Sequence, residues 1–159
     1  MNNNNETLVK MKKLRLHGMA TAFENLLSTS SRMDLTIDEA VTHLVDSEWD
    51  DKHKRRLDRL IKGAKFRYKA SIDELNYDPE RKLDKNLMLR LSSCNWVENG
   101  EDILVTGATG VGKSYIGSAL GYQACNYGFT VGYYSSSRLF AELTLGKKDS
   151  TYIRNLINN

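Results

Sequence analysis

The stretch that most constrains this chain is Gly107-Ala108-Thr109-Gly110-Val111-Gly112-Lys113-Ser114, set between the apolar run Ile103 to Val105 and a segment of helical character. This spacing is that of a phosphate-binding loop. Glycines let the backbone curl until the N–H groups of Gly110 to Lys113 face one anion, Lys113 reaches the β- and γ-phosphates, and Ser114 holds Mg²⁺. The helix behind the loop adds the positive end of its dipole to the same anion site. All eight residues, Gly107, Ala108, Thr109, Gly110, Val111, Gly112, Lys113 and Ser114, are therefore candidate nucleotide contacts, in a strand, loop, helix context. Only 45 residues follow Ser114.

Composition narrows the class. At 159 residues and 40% hydrophobic content the chain can pack one medium domain or two small ones. No apolar run reaches the roughly 18 residues of a spanning helix, and Met1 to Glu6 lacks the basic and apolar regions of a signal peptide, so a cytoplasmic location with no membrane is expected. The two cysteines, Cys94 and Cys125, lie in apolar segments and read as buried, reduced thiols. His17, His43 and His53 have no ligand-like spacing with them, so no metal cluster is expected there.

The net charge of +3 hides a strong local bias. Between Lys52 and Lys69 nine basic residues stand against one acid, Asp58. Lys52, Arg55, Arg56, Arg59 and Lys62 recur three or four residues apart beside an apolar series Leu57, Leu60, Ile61, and Lys65 extends the basic set. These six basic residues are the candidate DNA contacts. Lys and Arg on one helical face bind phosphates without reading bases, which gives a sequence-tolerant, salt-sensitive interaction. Phe66 and Tyr68, interleaved with Lys65, Arg67 and Lys69, read mainly as residues of the helical core.

Along the chain, the asparagine-rich start reads as disordered, and one or two helices follow from Thr7 to Ser28 with an interruption near Gly18. A loop from Ser28 to Met33 precedes a capping box, Thr36 with Glu39, and an apolar stripe of Ile37, Ala40, Val41, Leu44 and Val45 that runs on into the basic segment. Ser71 with Glu74 predicts a second, short helix before Pro79, the only proline. Asp84 caps a helix carrying Leu87, Met88 and Leu91, and Asn99-Gly100 turns the chain into a strand over 102–106. A helix from Lys113 ends at Gly128, a second strand covers 129–134, Ser136 or Ser137 starts another helix, and Ser150 to Asn159 has helical character. The expected architecture is α/β: a basic helical region over 1–70, a linker over 71–83, and over 84–159 the opening βαβα of a nucleotide-binding domain with a parallel sheet.

Several of these segments together resemble one family. Arg55-Arg56-Leu57 through Ala64-Lys65-Phe66, then Trp96 to Glu101, Gly107 to Ser114, and Ala119-Leu120-Gly121-Tyr122-Gln123-Ala124-Cys125 with Gly128 are similar to the IstB-type transposition helper ATPases, relatives of the DnaC helicase loaders. The resemblance implies an AAA+ ATPase that assembles into homo-oligomers on double-stranded DNA with ATP and Mg²⁺, bends the duplex, and recruits and stimulates a cognate transposase. Lys113 and Ser114 carry over as phosphate and Mg²⁺ contacts. Members of the family continue for about another hundred residues that hold the acidic, water-activating motif and the inter-subunit arginine, and their strand order sets two further strands between the first two. Asp50-Asp51 reads as a solvated helix face and Asp149 as part of a polar loop, so neither replaces that motif. The expectation for this polypeptide alone is a truncated or frame-interrupted copy with no complete catalytic set, binding ATP with negligible hydrolysis. A helicase loader and a nonfunctional or interfering copy are the alternatives.

Overall fold

The computed structural model describes residues 3–29 and 35–148. Seven α-helices and one 3₁₀ turn occur among them: α1 Asn3–Lys13, α2 His17–Thr29, α3 Ile37–Ala64, the turn Pro79–Arg81, α4 Lys85–Ser92, α5 Asn95–Glu98, α6 Lys113–Asn126 and α7 Ser136–Lys148. Among the described residues there is no strand, which overturns the expected parallel sheet and its βαβα order.

The reason lies in what each signal measures. Ile103 and Val105 are half-buried around an 88% exposed Leu104, and Val131 and Tyr133 are half-buried around an exposed Gly132. The in-and-out alternation expected of a strand is therefore present in both segments. A strand, however, exists only through ladder hydrogen bonds with a neighbour. The second segment instead gives the Tyr133 N–H to the Ala64 carbonyl at the end of α3, at 2.9 Å.

The chain divides into two compact units between Arg56 and Leu57. In the first, α1 packs on α2, and α2 lies against the middle of α3 at Ser47 to Asp51. Gly18 makes the second contact possible, since a Cβ there would stand 2.2 Å from the Ser47 carbonyl oxygen. Ala20 and Ala22 on α2 are buried as well. Glu48, 5% exposed, accepts the Met19 N–H at 3.1 Å, so the first turn of α2 finds its acceptor on a buried carboxylate of α3. The break between α1 and α2 falls at Leu14 to Leu16, where Arg15 takes a positive φ of 60°, just ahead of Gly18. Helix α1 begins at Asn3, with the Thr7 hydroxyl bonded to the Asn3 carbonyl, so the asparagine tract enters the helix rather than preceding it as disorder.

The Thr36 capping box forms as expected: the Thr36 N–H donates to Glu39 at 2.8 Å and the Glu39 N–H to the Thr36 hydroxyl at 3.3 Å. These bonds to Thr36 hold the Glu39 carboxyl below its ordinary range, the backbone N–H contributing most. The stripe on α3 is buried only in part. Ala40 and Leu44 are half-buried, whereas Ile37, Val41, Val45 and Trp49 stand exposed. The expected loop from Ser28 to Met33 begins inside α2 at Ser28, and residues 30–34, like the helical segment expected over 150–159, lie outside the described residues.

The second unit is built around Leu75, Met88 and Leu120, with Ile72, Tyr77, Ile103 and Ile116 against them. Asp84 caps α4 by accepting the Asn86 and Leu87 N–H groups at 2.8 and 3.2 Å, and α4 packs on α6. The expected helix after Ser71 is a turn instead, closed by Glu74 N–H to the Ser71 carbonyl and Leu75 N–H to the Ile72 carbonyl. Its capping pair does not form because Glu74 is engaged elsewhere, accepting the Tyr115 hydroxyl at 2.9 Å. Helix α6 ends at Gly128, whose φ of 90° suits a residue without Cβ, and the Gly128 and Phe129 N–H groups close on the carbonyls of Cys125 and Ala124. Cys94 and Cys125 are both buried and free, and burial pushes both thiols up. No helix among the described residues is long and apolar enough to cross a membrane.

Candidate functional site

The loop Gly107 to Gly112 takes its shape from three glycines in the left-handed region, with φ of 149° at Gly107, 86° at Gly110 and 94° at Gly112. A side chain at Gly107 would press on Val111 at 3.3 Å, so the missing Cβ is also what lets the loop close on itself. Gly112 is the N-cap of α6, and Lys113 and Ser114 are its first two residues. The first turn of a helix leaves N–H groups without intrahelical acceptors, and the helix dipole makes that end favour an anion.

Lys113 folds back across the loop, its Nζ donating to the carbonyls of Gly107, at 2.8 Å, and Ala108. One ammonium group thus bridges the mouth of the loop from the helix side. The fit to a nucleotide phosphate is tested on three observations: a glycine loop whose positive φ values at Gly107, Gly110 and Gly112 favour residues without Cβ, a cation already spanning it, and a helix N-terminus beneath. Ser114 is exposed at the same end of α6, and its hydroxyl is the group that would hold a phosphate-bound Mg²⁺ there.

Beside the loop lies a cavity of about 300 Å³ lined by Glu74, Asn76, Arg81, Gly112 and Tyr115 among others. Two long-range contacts shape it. The Arg81 guanidinium donates to the Val111 carbonyl at 2.9 Å, and the Tyr115 hydroxyl donates to Glu74. That bond to Glu74 is the main cause holding the Tyr115 phenol above its ordinary range. Sequence reading missed Arg81, Glu74 and Tyr115 as neighbours of the loop. Pro79 marks a turn near them, but no pattern signals that this turn meets a loop thirty residues on.

The basic residues sort into two groups. Lys52, Arg55, Arg56, Arg59 and Lys62 all lie on α3 and are exposed, and Lys65 follows directly after it with φ of 57°. Arg55 pairs with Asp51 at 2.7 Å and approaches Glu48 at 3.6 Å, while Lys52 approaches Glu48 at 3.5 Å. The carboxylates within α3 therefore already hold two of the six. Phe66 packs as expected, over Gly121 of α6 and beside the rings of Tyr122 and Tyr133 at 6.1 and 6.4 Å, whereas Tyr68 is exposed under the Arg67 guanidinium.

Comparison with known proteins then places the sequence. The model of the IstB-like ATP binding proteins matches residues 9–158. The chain belongs to that family. An insertion sequence ATP-binding protein of Sinorhizobium fredii is 35% identical over 148 residues, which is 93% of this chain and 60% of that relative. The ATP-binding protein of insertion sequence IS1162 from Pseudomonas fluorescens is 36% identical over 151 residues, 94% of this chain and 65% of the relative. The counterpart from IS21 of Pseudomonas aeruginosa is 24% identical over a similar span. This IstB-like chain thus spans about three fifths of the length of the curated relatives it matches.

Proposed function

We propose that this IstB-like chain is an ATP-binding transposition helper that holds a nucleotide triphosphate at Gly107 to Ser114 and duplex DNA along α3. The observation that carries the reading is the loop itself, with Lys113 spanning a glycine ring at the N-terminus of α6. The names of the relatives from S. fredii and P. fluorescens, insertion sequence ATP-binding proteins, support it. In this reading the backbone N–H groups of Gly110 to Lys113 donate to phosphate oxygens. The Lys113 ammonium exchanges the carbonyls of Gly107 and Ala108 for the same oxygens, and the Ser114 hydroxyl meets Mg²⁺. ATP supplies the negative charge that the loop and the helix end lack.

Residues 1–70 carry the DNA-binding role and residues 84–159 the nucleotide role, while 71–83, expected as a linker, packs into the second unit beside the loop. With Lys52 and Arg55 held by Glu48 and Asp51, the main phosphate contacts fall to Arg56, Arg59, Lys62 and Lys65. Further copies of the chain and a cognate transposase are its associates, and the cytoplasm is where it meets them. The test is duplex binding by gel shift with and without ATP and Mg²⁺. Four contacts predict a slope of about −3.6 for log affinity against log salt. Reversal of Arg56, Arg59 and Lys62 to Glu abolishes the shift, and duplex binding unchanged by that reversal would remove α3 from the DNA surface.

A further inference from the structure

From outside the loop and its helix, Arg81 donates to a loop carbonyl, and its position has a specific geometric consequence. It closes the 3₁₀ turn Pro79–Arg81, with Lys82 in the left-handed region at φ of 50° behind it. From there its Nη2 reaches the Val111 oxygen at 2.9 Å and stands 3.2 Å from the place a Gly112 Cβ would occupy. Val111 sits between Gly110 and Gly112, both glycines at positive φ. The peptide that joins Val111 to Gly112 turns over by rotation about the Val111 Cα–C and Gly112 N–Cα bonds, and on the Gly112 side no Cβ opposes that turn.

We infer that Arg81 is a positioning residue that locks the orientation of the Val111–Gly112 peptide and so keeps the Gly112 N–H available to a phosphate. A trans peptide is planar, with its carbonyl and N–H on opposite edges. Holding the Val111 carbonyl against the guanidinium sets the Gly112 N–H on the far side from Arg81. If the peptide turned over, it would present a carbonyl dipole to the anion, replacing an attraction by a repulsion inside a small ring. The charge-assisted bond from Arg81 is stronger than a neutral one and opposes that turn. This inference rests on the nucleotide reading of the loop for its ligand, though not for its effect on the empty loop.

The experiment compares the full chain with Arg81→Met and Arg81→Lys in two measurements. Arg81 is exposed and outside the core, so both variants keep the fold. The first measurement is ATP and ADP affinity by calorimetry. Arg81→Met is expected to weaken both about tenfold, while Arg81→Lys, which keeps a charged donor, weakens them about threefold. The second is the amide NMR spectrum of the nucleotide-free protein, in which Arg81→Met broadens or doubles the Gly110 and Gly112 signals and leaves those of α4 unchanged. Unchanged affinity in Arg81→Met overturns the inference. So does weakened affinity with unaltered loop signals, since that pattern belongs to a guanidinium touching the nucleotide directly. If the unmodified chain binds no ATP, the nucleotide reading fails by itself, and the loop signals still decide whether Arg81 holds the peptide.

Discussion

At the scale of the residue, two substitutions probe how closely the chain packs. A Cβ at Gly18 meets a backbone carbonyl that cannot move alone, so Gly18→Ala is expected to destabilise the first unit by about 1–3 kcal/mol, seen as a lower urea midpoint. An unchanged midpoint would mean that α2 and α3 do not approach as closely there. Cys94 and Cys125, buried and with thiols pushed up by desolvation, are expected to react with a disulfide reagent only after unfolding. Fast labelling of the native chain would contradict their burial. Residue-level legibility depended on how local the chemistry is. The glycine loop is contiguous, so its positive φ values could be anticipated from spacing. The partners Arg81 and Val111 are 30 residues apart and Glu74 and Tyr115 are 41 apart, joined only by the fold.

At the scale of the element, helices were legible and strands were not, for a physical reason. Caps such as Thr36 with Glu39, Asp84 with Asn86 and Leu87, and Gly128 after α6 are local events within a few residues, and each formed as its pattern implies. The segments 102–106 and 129–134 have the alternation of strands, but pairing is a property of two segments and was not written in either. The Ser71 and Glu74 pattern failed because a distant tyrosine competed for the carboxylate. The Thr36 box carries a pH dependence. Glu39 is held below the ordinary carboxylate value of 4.5, so its contribution to α3 is present above that pH and is lost as pH falls through the folded value. Circular dichroism should show α3 losing helicity below pH 4.5 in the native chain, and Glu39→Gln should remove that acid component. The Tyr115 bond has the opposite sign. Its phenol is raised above 10.0, so the link between α6 and the Glu74 turn is present below pH 10 and lost as pH rises through the folded value. Loss of that alkaline component in Tyr115→Phe is the check. At the end of α6, Gly128→Ala places a Cβ at φ of 90° and should cost about 1–2 kcal/mol in thermal unfolding.

At the scale of the whole chain, the proposed roles fall to a glycine loop at the start of α6 and to a long helix whose first half is acidic and whose second half is basic. Family membership is established over residues 9–158, while the chain spans about three fifths of the relatives it matches. The proposed property that this chain can answer alone is that Gly107 to Ser114 bind the phosphates of ATP through Lys113. The most direct measurement is isothermal calorimetry of ATP with Mg²⁺ against the chain and its Lys113→Ala variant. The account predicts saturable one-to-one binding by the unmodified chain and a loss of at least about tenfold in the variant, equal to about 1.4 kcal/mol of binding free energy. Binding of equal strength by both proteins, or none by the unmodified chain, would contradict it.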